Sequence, residues 1–254
     1  ALDWLHQKKN TKPFFLLIQF NATTSPWIPA IRHLSLYDDK LLPEPKNFID
    51  NHSGKASTAR YQSMDINEDL DFARDLFFQS DESDGNKSSS IGSSNSQKNL
   101  SAMTPEQWSS WTLSWRPKNE AFLREPQSKE NILQWKFQRF IKNYLRCIRG
   151  IDENIKRIET TLLDTNSSDS FFIYTSNHGR FLGEHGWFGS RWIYEESIQV
   201  PLIISTNLVI NSAKSIPSLV QNIDIAQTIL DYAGVEGTKE MQGLSMRPLL
   251  EKEE

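Results

Sequence analysis

A single cysteine, Cys147, rules out an internal disulfide in this chain. It falls in the middle of a helical pattern and reads as a small buried apolar residue, which leaves the compartment open. Long apolar runs are also lacking: none approaches the roughly 20 residues that a membrane-spanning helix needs. Charge of one sign is not in excess, since 28 Lys and Arg against 32 Asp and Glu leave a net charge of −4, so there is no basic field to attract nucleic acid. The N-terminus opens directly on a helical Ala-Leu-Asp-Trp-Leu-His, where no signal peptide is visible and methionine is lacking. Removal of an initiator and a start partway into a longer protein account for that equally well. A soluble domain is therefore expected: 254 residues, 37% hydrophobic and 24% charged, are enough for one sizeable α/β core. Asn-x-Ser/Thr sequons at Asn21, Asn51, Asn86, Asn99 and Asn166 are weak signals of secretion in a chain this rich in Ser and Thr.

The stretch Ser170 to Ser205 organises the rest. Phe171 to Tyr174 is an apolar run of strand length that breaks at once into the polar turn Thr175-Ser176-Asn177-His178-Gly179, and Val200 to Ser205 closes the stretch with a second buried strand. Ligating side chains thus stand where a core strand ends, the edge on which open α/β sheets build their sites. Phe14 to Phe20 is a second continuous apolar run, expected as a strand covered on both faces and followed by Asn21-Ala22-Thr23-Thr24-Ser25-Pro26-Trp27. From Phe137 to Leu162, apolar residues recur every three or four positions, predicting a long helix with one face on the core. Lys142, Arg146, Arg149, Glu153 and Lys156 read as its solvated face. Residues 32–60 read as a polar surface excursion, in which Asp38-Asp39 is a solvated turn, and Ala59 to Asp75 reads as helical. Gln79 to Ala102 is too rich in Ser, Gly and Asn to bury anything and is expected to be a mobile insertion. Thr104 and Pro105 supply an N-cap and a first helical residue, and Asp224 to Ala233 reads as a short helix stopped by Gly234.

Several of these segments together resemble the sulfatase family of the alkaline-phosphatase-like superfamily. Its members carry a strand ending in T-S-D-[HQ]-G, then G-E-H-G-x-[FW]-x-K-R-x-x-Y-E-E-S and V-P-L-I. Gly183 to Gly186, Arg191, Tyr194 to Ser197 and Val200 to Ile203 match that pattern as they stand. Tyr144 to Ile155 is similar to Y-L-R-C-[IV]-x-x-[IV]-D-[ED]-N-[IV], and Gly243 to Leu250 to the G-x-S-L-x-P-L-L that closes the large domain. The resemblance implies an α/β fold, a sulfatase-like sheet flanked by helices. It also implies a partial domain over 1–254, whose N-terminal part and small C-terminal domain lie outside the sequence.

Sulfate-ester hydrolysis in that family uses a formylglycine made within C/S-x-P-S/A-R, a divalent cation, usually calcium, and Lys and His side chains that neutralise the sulfate and protonate the leaving oxygen. No C/S-x-P-S/A-R occurs here, and the paired N-terminal aspartates of the metal shell are missing. Asn177 stands at the place of a metal-binding aspartate and His178 at that of a second metal ligand. Asn21 and Ser190 stand at lysine positions, Thr24 at a histidine position, and Arg191 is a candidate for anion contact. Calcium is therefore expected to bind weakly or not at all. Glu184 and His185 are expected to shape their loop rather than act as an acid–base pair. The expected function is that of a degenerate sulfatase-like protein that binds an anionic or sulfated saccharide, in an extracytoplasmic setting by resemblance. The alternative is a fragment of an active calcium- and formylglycine-dependent sulfatase whose catalytic part lies upstream.

Overall fold

In the computed structural model of the chain, the residues described are 1–7, 12–78, 100, 102–164, 170–206 and 215–251. Most of the Ser-rich segment expected to be mobile, 79–102, lies outside them. Helix α1 (Leu2–Gln7) is followed by an irregular region and the short α2 (Ser57–Arg60). Then come α3 (Pro105–Arg124) and α4 (Lys129–Asp164). Strand β1 (Phe171–Thr175) leads into the hairpin of β2 (Phe181–Leu182) and β3 (Phe188–Gly189), then α5 (Glu195–Ile198) and β4 (Leu202–Thr206). Helices α6 (Asn222–Tyr232) and α7 (Arg247–Leu250) complete the order.

The two strands expected around the central stretch form and pair with each other. β1 and β4 run antiparallel, with Phe171 opposite Thr206 and Thr175 opposite Leu202, which places the polar turn at 176–179 beside the start of β4. The long helix also forms and extends eight residues N-terminal to the predicted start. Its Phe137, Phe140, Ile141 and Cys147 meet Trp27, Phe48, Ile66, Leu70 and Leu76 in the main core, against which Leu182 of β2 and Phe188 of β3 are packed. α3 starts as its cap predicts: the Gln107 N–H donates to Thr104 Oγ1 at 3.3 Å, and the Thr104 N–H to Gln107 Oε1 at 2.9 Å. Trp111 and Trp115 of α3 pack on Leu34 and Phe77 in a second cluster. Gly234 stops α6 at φ 66°, a left-handed cap that only glycine adopts without a Cβ penalty.

Four readings are corrected. Residues 14–20 belong to no strand, and Phe15 and Leu17 are each 69% exposed. A strand needs a neighbour to exchange backbone hydrogen bonds with, and none of the described strands lies beside this run. Ala59 to Asp75 is helical only to Arg60. Beyond it Asp65 accepts from the Asn67 N–H, Asp71 from the Arg74 N–H and Asp75 from the Asp71 N–H, so carboxylates take the bonds that a helix ladder would use. Residues 32–60 are not a mere surface excursion, because Leu34, Phe48 and Ala59 are buried. Nor is Arg146 on a solvated face: its side chain is 2% exposed and its Nη2 lies 2.7 Å from Asp38 Oδ1, so Asp38 is an ion-pair partner rather than a free turn.

Candidate functional site

The turn after β1 is fixed from three sides. Ser176 Oγ donates to the His178 carbonyl at 2.8 Å, Asn222 Nδ2 at the start of α6 donates to the Ser176 carbonyl at 3.1 Å, and the Gly179 N–H donates to the Ser197 carbonyl of α5 at 2.8 Å. Gly179 lies so close under α5 that a Cβ would collide with the carbonyl oxygens of Glu196 and Gln199. Glycine is required there by close backbone approach rather than by an unusual φ. Asn177 and His178 project from this held turn and are exposed. His178 Nδ1 donates to the Gly179 carbonyl at 2.8 Å, the tautomer that leaves the lone pair on Nε2, as a metal-binding imidazole requires.

The loop holding Asn21 and Thr24 is tied by its Thr24 N–H to the Asn21 carbonyl at 3.1 Å. It reaches the turn region through Tyr144 of α4. The Tyr144 phenol is hydrogen-bonded by the Thr23 side chain and lies within the field of the Arg180 guanidinium, and burial raises its pKa above that of a free tyrosine. Thr23 of loop 21–26 and Arg180 of the segment that follows His178 thus both act on this phenol. Ser190 follows β3 and is partly buried, whereas Arg191 is exposed and its Nη1 donates to Ser63 Oγ at 3.1 Å. Arg180 and Tyr144 are the residues here that the sequence reading passed over. Tyr144 looked like one more member of the helix stripe, and Arg180 like a polar residue in a turn. A cation placed directly after a ligand-bearing turn was the signal available.

A calcium ion takes six to eight oxygen ligands and depends on carboxylates for affinity. The turn offers one amide oxygen and one imidazole, and no group of three or more His, Cys, Asp or Glu side chains among the described residues is placed to hold a metal. This donor set does not by itself fit a calcium site.

The G-E-H-G turn is built into the scaffold. Glu184 Oε2 accepts from the Leu182 N–H at 2.6 Å, and His185 holds a left-handed φ of 60°. His185 Nδ1 lies 2.6 Å from Asp50 Oδ2 and 2.9 Å from Lys55 Nζ, which itself sits 2.5 Å from Asp50 Oδ2. Hydrogen bonding from Lys55 leads the interactions that hold the Asp50 carboxyl well below the usual carboxylate range. Cys147 is buried, and burial pushes its thiol up to about 12, so it is inert at neutral pH.

Comparison with known proteins agrees with this geometry. A family model described as N-sulphoglucosamine sulphohydrolase, C-terminal, matches residues 183–254. The chain is 32% identical over 258 residues to the N-acetylglucosamine-6-O-sulfatase of Bacteroides thetaiotaomicron, an alignment covering 100% of this chain and 45% of that protein. It is 32% identical over 108 residues to the extracellular sulfatase SULF-1 homolog of Drosophila melanogaster, covering 42% of this chain and 10% of that one. The solved structure of BT4656 in complex with its substrate D-glucosamine-2-N,6-O-disulfate superposes with a TM-score of 0.87 at 32% identity, over 99% of this chain and 50% of that one. The chain therefore spans less than half the length of the curated relatives it matches. With 32% identity over the whole chain and a shared fold over 99% of it, the chain belongs to the sulfatase family of the alkaline-phosphatase-like superfamily, of which it carries the C-terminal part.

Proposed function

We propose that this chain, a partial sulfatase-like domain over 1–254 with a Ser-rich insertion at 79–102, binds a sulfated amino sugar and does not by itself hydrolyse it. One contrast carries the reading: the turn that presents Asn177 and His178 is held by hydrogen bonds and by close packing of Gly179, yet the side chains at 21, 24, 177 and 190 are neutral where the resemblance puts charged or titratable residues. Asn and Ser can donate hydrogen bonds to sulfate oxygens, so recognition survives. Thr24 cannot exchange a proton near neutral pH as an imidazole can, and the lost carboxylate weakens any hold on calcium. Loss of even one preorganised charge-stabilising group typically costs on the order of 10²–10³ in rate. The saccharide class follows the relatives, one named for 6-O-sulfated N-acetylglucosamine and one holding a glucosamine disulfate. An extracytoplasmic location accords with the relative named as extracellular.

A second reading has its own support, because the Bacteroides relative is covered over only 45% of its length. In it the chain is part of an active calcium- and formylglycine-dependent sulfatase whose nucleophile lies on an N-terminal portion. Incubation of the purified chain with an aryl sulfate and with glucosamine-2-N,6-O-disulfate in excess calcium tests the first reading. We expect saturable binding of the disulfated glucosamine without sulfate release, and no rescue by Asn177→Asp or Ser190→Lys alone, since groups that act as a unit are non-additive. Turnover above a heat-killed control overturns the inactive reading, and absence of binding overturns the saccharide reading.

A further inference from the structure

Part of this chain has a core and part has none. The three clusters of buried apolar side chains draw on α3, α4, the 181–189 hairpin and residues 27–77, and none of their members comes from residues 14–20, β1, β4 or α6. Yet those four segments are strongly apolar: FFLLIQF, FFIYT, LIIST and NIDIAQTILDY. β1 has no buried residue, β4 buries Thr206 alone, and α6 buries Thr228 alone although it carries Ile223, Ile225, Ile229 and Leu230. Segments order because burial offsets the entropy lost, and a two-stranded ladder is marginal in water by itself.

These segments adjoin one another. α6 lies along β1: Asn222 Nδ2 at its start donates to the Ser176 carbonyl just past β1 at 3.1 Å, and the Tyr232 ring at its end lies 4.5 Å from that of Phe171, where β1 begins. The closing segment rests on the same helix start, since the Leu244 N–H donates to Asp224 Oδ1 at 2.8 Å and a Cβ on Gly243 would come within 2.1 Å of the Ile223 carbonyl oxygen. Ile223 and Leu244, both exposed, therefore stand together. In residues 15–19 burial alternates, with Leu16 and Ile18 half-buried between exposed Phe15, Leu17 and Gln19, the period of a strand with one covered side. No backbone hydrogen bond joins residues 15–20 to another described residue. β1 pairs with β4 on one edge, and in an antiparallel ladder alternate residues turn their N–H and C=O away from the partner. The other edge of β1 thus offers bonds that no described strand takes.

The solved sulfatase structure keeps this backbone at a TM-score of 0.87 over 99% of the chain, but the shared frame is 50% of that molecule. The rest of that polypeptide has to lie against the frame, and apolar segments without a core are the places that need covering. We propose that the open edge of β1, residues 15–20 and the side of α6 that carries Ile223 beside Leu244 form the docking surface for the portion of the sulfatase domain that this chain does not contain. That portion adds a strand beside β1 through main-chain hydrogen bonds and buries the exposed apolar side chains. The surface is the same whether the portion is joined to this chain or supplied by a second polypeptide. Docking rests on family membership and on neither reading of the activity.

The test is co-production of the full chain with the part of the Bacteroides N-acetylglucosamine-6-O-sulfatase that lies N-terminal to its alignment with this chain, read by affinity capture, light-scattering mass and hydrogen exchange. We expect a one-to-one complex, with exchange slowed at least about 10-fold at residues 15–20 and in β1. Phe15→Asp, Leu17→Asp and Leu244→Asp, which keep the melting temperature because these side chains are exposed, should each weaken the complex by about 10-fold or more. Leu113→Asp, comparably exposed but on α3, should leave it unchanged. A fusion of the Bacteroides part to the N-terminus of this chain is the second measurement, because it holds the two at high effective concentration even where the separate part folds poorly. Exchange at 15–20 and β1 as fast in both forms as in the chain alone overturns the proposal, as does a complex that Phe15→Asp, Leu17→Asp and Leu244→Asp all leave intact. A dimer of the chain alone that Phe15→Asp and Leu17→Asp dissociate, and that the Bacteroides part does not displace, makes a second copy the occupant and overturns it too. Sulfate release by the complex supports the second reading of the activity and its absence speaks against that reading; the surface stands in both cases.

Discussion

The Asp50 carboxylate and the His185 imidazole, 135 residues apart in sequence, meet at 2.6 Å between Oδ2 and Nδ1. Lys55 Nζ bonds both, and His52 stacks on Trp187 at 5.1 Å between ring centroids beside them. This polar knot fastens the 47–55 loop to the G-E-H-G turn, and through it to the hairpin that Ser190 follows.

The knot makes stability depend on pH in a definite direction. Burial, followed by the nearby Lys55 charge, lowers the His52 pKa below its ordinary 6.5. The unfolded chain therefore takes up a proton at His52 before the folded one does, so this contribution is fully present above about pH 6.5 and is lost as pH falls from there towards the lower folded value. Asp50 is depressed in the folded state as well, and its contribution is lost as pH falls below its unfolded value of 3.8. Urea midpoints should drop between pH 7.5 and 5.5. His52→Asn, which tolerates the positive φ of 54°, should flatten that slope whatever it does to absolute stability.

Gly179→Ala should destabilise the chain or displace the turn, because the new methyl meets backbone carbonyls of α5 that no rotamer change can move. A loss of about 1–3 kcal/mol is expected from overpacking at such a site. The checks are a denaturation curve and the chemical shifts of Asn177 and His178. A wild-type midpoint with unmoved shifts would show that α5 yields freely.

Asp38 serves two cations, Arg146 at 2.7 Å and Lys118 at 2.9 Å. Asp38→Asn leaves a side chain as buried as that of Arg146 without its counter-charge. Breaking a buried pair costs about 3–5 kcal/mol, but Asp38 is 39% exposed and solvent screens part of that, so about 1–3 kcal/mol is expected. Asp152→Asn, which breaks an exposed pair with Arg149, should stay within about 0.5 kcal/mol. Parallel urea titrations read the difference.

Phe15 and Leu17 are apolar and largely exposed on a run without strand partners. Phe15→Ser and Leu17→Ser should leave the melting temperature within about 2 °C, since little burial is lost, and should reduce self-association measured by light scattering.

Some of this structure was legible in the residues. The three-and-four spacing of α4 predicted its core face, because a helix that buries one side must repeat at its own turn. β1, β4, the Thr104 cap and the Gly234 stop were legible because each depends on local periodicity or on one residue's backbone preference. The motif from Gly183 to Ser197 placed the chain in its family. Three things depended on the tertiary arrangement. Arg146 looked solvated by its place on the helix wheel and is buried because Leu36, Asp38 and Asn143 supply acceptors around it. Residues 14–20 look like a strand, but pairing is a property of neighbours and not of the run itself. Tyr144 looks like one more member of the helix stripe, and it is folding that brings the Thr23 loop, more than 100 residues away in the chain, to its phenol. Local propensity is written residue by residue. The charge and solvation of a side chain are set by whatever folding brings against it.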